Sequence, residues 1–145
     1  MRSKRDGFTL VELMVVAVIV AILAAVAIPL MSANKTRAMA TEAEAGCGTI
    51  RTAMRAMFAE TSAYNKDLNG TAITAGALAS TLPGIGATDL DGRFFDNPCY
   101  KISAVGTTTY TITCTGADSG APQKADVAGV TVTLDDAGKI TKTLP

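Results

Sequence analysis

From Leu13 to Met31 the chain carries no polar side chain, and the one acid close to this run is Glu12, at its start. A helix needs roughly 20 apolar residues to cross a hydrocarbon core about 30 Å thick, and the segment 8–31 supplies that length. Such a stretch must be covered by lipid or by other protein. Asp, Lys or Arg at the middle of such a helix costs about 2.5 to 3.5 kcal/mol, less towards the ends. Ionisable groups in these segments usually face a partner. Glu12 therefore asks for one. The plainer alternative sets it at headgroup depth, where the dipole of a helix N-terminus favours a negative charge.

The residues ahead of the span fix its orientation. Arg2, Lys4 and Arg5 outnumber Asp6, so the positive end stays cytoplasmic and the remainder of the chain faces outward. A secretory signal is cut after its apolar region, at small residues. Here the small residue, Gly7, lies before the apolar region. Cleavage there would leave the helix on the mature chain, while an uncut signal anchor fits the same charges and length.

Gly7-Phe8-Thr9-Leu10-Val11-Glu12-Leu13, followed by the apolar run, resembles the class III prepilin signal of type IV pilins and type II secretion pseudopilins. The resemblance covers about the first quarter of the chain. It implies that a prepilin peptidase cuts after Gly7 and N-methylates Phe8, that Glu12 is the family's helix acid and that Pro29 is its helix proline. It also implies that in a pilus Glu12 lies against the N-terminal amine of Phe8 on a neighbouring subunit, or is neutralised on leaving the bilayer. A buried ion pair adds little net stability, but breaking one leaves an unpaired charge costing about 3 to 5 kcal/mol. Its contribution would be register, since one ionic contact selects a single position along an otherwise featureless apolar helix.

Past the span the helical period continues. Met39, Ala43, Cys47, Ile50, Met54 and Met57 recur at intervals of three and four, with Arg37, Glu44, Arg51, Arg55 and Glu60 on other faces. This predicts an amphipathic continuation over 32–64, packed on a sheet. Pro29 should kink the helix, and Gly46 and Gly48 should weaken it. The segment 65–97, punctuated by Asn69-Gly70, Pro83-Gly84 and Asp91-Gly92, reads as a connecting region with a short helix around Ala75–Leu82.

Residues 98–145 change to period two, rich in Thr, Val, Ile and Tyr. Strands are predicted at Cys99–Val105, Thr108–Thr115, Val127–Leu134 and Lys139–Leu144, paired as two antiparallel hairpins. The fold class is thus α+β: a leader over 1–7, a long N-terminal helix, and a small sheet head. If Gly106 and Thr107 form a two-residue loop, Cys99 falls opposite Cys114 at a spacing that suits a disulfide. An oxidising compartment would keep that bond. Cys47 is then left over on the apolar face, although its pairing with either of the others stays open.

Catalysis finds little footing. The chain has no His, the commonest general base and metal ligand. Asp89 with Asp91 and Asp135 with Asp136 sit beside Gly in turn-like stretches. Asp118 and Asp126 flank a Gly- and Pro-containing loop of the kind that holds calcium in major pseudopilins, but the dense ligand series of a calcium loop is missing. No metal or other cofactor is expected. The precursor has no net charge, and without Arg2, Lys4, Arg5 and Asp6 it keeps 10 basic and 12 acidic residues. The scattered Lys and Arg make no phosphate-binding stripe. Neither nucleic acid nor a small-molecule substrate is expected as a partner.

The reading that follows is a non-enzymatic subunit of a type IV pilus, with copies of itself as its main partner. Beyond itself, the resemblance implies prepilin peptidase, an inner-membrane assembly platform driven by cytoplasmic ATPases, and membrane lipid before assembly. The subunit would wait as a single-pass inner-membrane protein and end in an extracellular pilus. The alternatives are a periplasmic type II pseudopilus and a monomeric, signal-anchored binding domain.

Overall fold

The computed structural model describes residues 7–118 and 120–145. The basic leader residues 1–6 lie outside the described residues. Two compact units divide the chain, one ending at Lys35 and one running from Thr36 to Pro145. Helix α1, Leu10–Thr61, is assigned as helix throughout, with Pro29 inside it. It stops three residues short of the predicted Tyr64. Ser62 takes a left-handed φ of 56°, and its N–H donates to Phe58 O at 2.8 Å. The Thr61 hydroxyl donates to Met57 O at 3.0 Å. These bonds satisfy carbonyls that the helix end would otherwise leave open.

The head is a helix laid on a five-stranded antiparallel sheet, so the α+β class holds with one strand more than predicted. The strands are β1 (Ala77–Leu78), β2 (Tyr100–Val105), β3 (Tyr110–Thr115), β4 (Thr131–Asp135) and β5 (Ile140–Thr143). They neighbour one another in chain order. All six residues of the predicted helix stripe are buried, none more than 3% exposed. They join Tyr100, Ile102, Tyr110, Ile112, Cys114, Val132 and Leu134 in one apolar core. The inward residues of β3 and β4 alternate with outward Thr, as period two requires.

Three local expectations are corrected. The short helix expected around Ala75–Leu82 is instead β1 followed by a 3-10 turn, Ala79–Thr81. Val127 opens no strand. It closes the short helix α2, Lys124–Val127, and β4 starts at Thr131 because Val127 O accepts from Val130 N and Val130 O from Gly116 N.

The third correction is the β2–β3 register. Val105 pairs with Tyr110, so the loop is Gly106–Thr109 and not two residues. Thr107 O accepts the Tyr64 N–H at 2.9 Å, and the Tyr64 ring meets Tyr110 edge-on at 4.6 Å. Both contacts tie the longer loop to the chain after the helix. A bulge between Ile102 and Ala104 takes back one residue, so Tyr100, and not Cys99, stands opposite Cys114. Cys99 ends the 3-10 turn Asn97–Cys99 instead of starting a strand.

Gly46 shows why a weak helix former sits in α1. A β-carbon there would overlap the ring of Tyr100, itself 1% exposed. The glycine lets helix and sheet approach closely, which offsets its disfavour of about 1 kcal/mol relative to Ala.

The connecting loop is held by carboxylates. Glu42 Oε1 accepts the N–H groups of Phe94 at 2.7 Å and Phe95 at 2.9 Å, and Oε2 that of Arg93 at 3.3 Å. Asp91 Oδ1 accepts from Asn97 N at 2.9 Å, and Asp89 Oδ2 from Gly86 N at 2.7 Å. Beside them, burial first and then the charges of Asp91 and Glu42 push the Asp96 carboxyl above its ordinary range. A raised folded-state pKa favours the native state at low pH and penalises it as pH rises through that pKa. Asp96→Asn should therefore raise the unfolding midpoint at pH 7, with the gain fading as pH falls through the carboxylate range. Thermal melts at stepped pH would show this.

Candidate processing and assembly site

The apolar run folds as the first half of α1, and its large side chains from Leu10 to Met31 are each between 51% and 73% exposed. An 18-residue window of this helix has a mean hydropathy of 3.1, and none of it is buried within the chain. A helix apolar on every face needs cover from outside itself. By length and composition it can cross a membrane.

At its head, Thr9 and Glu12 form a reciprocal pair. Thr9 N and Thr9 Oγ1 both donate to Glu12 Oε2 at 2.8 Å, and Glu12 N donates to Thr9 Oγ1 at 3.2 Å. This is a capping box, which satisfies N–H groups that a helix start leaves without partners. Thr9 was not singled out in the sequence as Glu12's partner, yet the Thr-x-x-Glu spacing ahead of an apolar run carries that signal. Glu12 thus has a local partner in a single chain, and it remains on an exposed surface open to a second one.

Gly7 and Phe8 precede the helix, with Phe8 83% exposed. A β-carbon on Gly7 would meet nothing within 4 Å. The Gly7–Phe8 junction is therefore exposed. Pro29 lies within α1, with helix on both sides. Cys99 and Cys114 are brought into one core but not into cross-strand register, and both are free thiols, as is Cys47. Asp118 ion-pairs with Lys101 at 3.0 Å. Among the described residues, no three His, Cys, Asp or Glu side chains converge to hold a metal.

An exposed small-residue junction, a capped acid and an exposed apolar helix thus follow one another at the start of the described residues. Residues 2–28 match the family described as the prokaryotic N-terminal methylation motif. Over 66 residues the chain is 40% identical to the type IV major pilin protein PilA of Myxococcus xanthus (strain DK1622), covering 46% of this chain and 30% of that protein. The alignment thus spans less than a third of the relative's length. No solved structure matches the chain. The similarity to known proteins thus includes the amino-terminal methylation motif and a partial match to a type IV major pilin.

Proposed function

We propose that this chain is a structural subunit of a type IV pilus, polymerising through residues 8–31. A prepilin peptidase cuts after Gly7 and methylates the new amine of Phe8. The subunit then rests in the inner membrane as a single-pass protein until an assembly platform extracts it. In the filament, helices of neighbouring copies replace lipid around the apolar run, Glu12 meets the Phe8 amine of the next subunit, and Pro29 gives the helix a place to bend. The observation that carries this reading is the apolar half-helix, exposed on every face and bearing one acid in its first turn. The relative's description as a major pilin favours a pilus over a pseudopilus.

Fibres sheared from the cell surface test it directly. Mass spectrometry should find the chain beginning at N-methylated Phe8, with residues 1–7 gone. A chain that begins beyond Met31, or that stays soluble and monomeric without lipid or detergent, would overturn the proposal.

A further inference from the structure

Three buried thiols lie in the one core of the head, and the sheet register distinguishes among them. Cys47 lies on the buried stripe of α1, Cys99 ends the turn before β2, and Cys114 sits in β3, each at most 1% exposed. The pairing of Tyr100 with Cys114 sends both side chains to the helix side of the sheet. The Tyr100 ring fills the place of a β-carbon on Gly46, so the helical turn carrying Cys47 rests on the Tyr100/Cys114 pair. The Cys47 sulfur lies beside the Cys114 backbone and the Tyr100 hydroxyl beside the Cys114 sulfur, which, after burial, is influenced first by the Cys47 thiol and second by that of Cys99. Cys99 is one residue out of register with Cys114. Its sulfur hydrogen-bonds to the Asp96 backbone, with Asp118, Asp96 and Lys101 as its charged neighbours.

We infer that oxidation of these three free thiols joins Cys47 of α1 to Cys114 of β3, leaving Cys99 as a buried free thiol. The bond replaces the cross-strand one that a two-residue loop would have set up, and it fastens helix to sheet. Its formation removes one proton from each of the two thiols and passes two electrons to a low-molecular-weight or protein disulfide, which is reduced to two thiols. Burial pushes the Cys47 thiol up to about 12, and Cys114 higher still. Thiolate, the reacting form, is therefore scarce once the core has closed. The bond must form while the helix is docking.

Refolding the full reduced chain in detergent with oxidised and reduced glutathione tests this, wherever the protein resides in the cell. After free thiols are alkylated in denaturant, trypsin separates the three cysteines by cutting at Arg51 and Lys101. The expected digest holds one crosslinked pair joining the Cys47 and Cys114 peptides, with Cys99 alkylated. A Cys99 to Cys114 crosslink, or alkylation of all three, overturns the inference. Cys99→Ser should keep the crosslink and a melting midpoint that falls on reduction, whereas Cys47→Ser should lose both. A reduction-sensitive midpoint in Cys47→Ser would equally count against it.

Discussion

Glu12→Leu is expected to leave the subunit in the membrane and to abolish filaments. Leucine makes the span more apolar, so insertion does not suffer. The lost capping box costs about 0.5 to 2 kcal/mol of local helix stability, too little to unfold a helix held by lipid. In the proposed filament the larger loss would lie between subunits, where the neighbour's Phe8 amine would be buried without its counter-charge at about 3 to 5 kcal/mol per contact. Since 1.4 kcal/mol is a factor of ten in equilibrium, each addition to the polymer weakens by at least about a hundredfold. Glu12→Gln separates the two roles. A glutamine at this position can still close a capping box with Thr9 but carries no charge, so it too should give no fibres. Electron microscopy of sheared material, with membrane fractions blotted for the subunit, reads both outcomes. Abundant fibres from Glu12→Gln would show that the acid serves its own helix start alone.

Glu42→Ala should be the most damaging surface-charge change in the head. Its carboxylate holds three successive backbone N–H groups of the loop, two of them partly buried. An unsatisfied buried donor costs about 1 to 3 kcal/mol. The expected loss is therefore about 3 kcal/mol, allowing for water reaching Arg93. Glu42→Gln should lose less, about 1 kcal/mol, because Oε1 alone serves Phe94 and Phe95 and an amide oxygen can take its place. Denaturant unfolding would measure the loss. Hydrogen exchange would locate it, as the Phe94 and Phe95 amides should lose protection in the alanine variant and keep most of it in the glutamine one.

The amino-terminal methylation motif was legible because it is written in consecutive residues. Gly7, Phe8 and Glu12 stand at fixed spacing, and only a long apolar run follows. The helix stripe was legible for a similar reason, since its period of three and four needs no knowledge of what lies across from it. The β2–β3 register was not. A period-two pattern reads the same after a shift of two, so nothing local distinguished a loop of two residues from one of four. The bulge at Ser103 then took one of those residues back, and a shift of one exchanges the faces of a strand. The Glu42 clasp was hidden because its partners are backbone groups some fifty residues away, brought near only by the fold. Val127 shows the limit of β-propensity. Its side chain suits a strand, but hydrogen bonds from Gly116 and Val130 decide otherwise.

The strands of the head stand side by side in the order in which the chain writes them, from β1 through to β5. The β2–β3 and β4–β5 pairings close four-residue loops, and low contact order speeds folding. In a polypeptide threaded outward through a translocon, the long helix emerges first as a template. Each later strand can then zip onto its predecessor as it appears, without waiting for the carboxyl terminus. The sheet would grow in the order of synthesis, leaving little time for half-made sheet edges on crowded nascent copies to stick to one another.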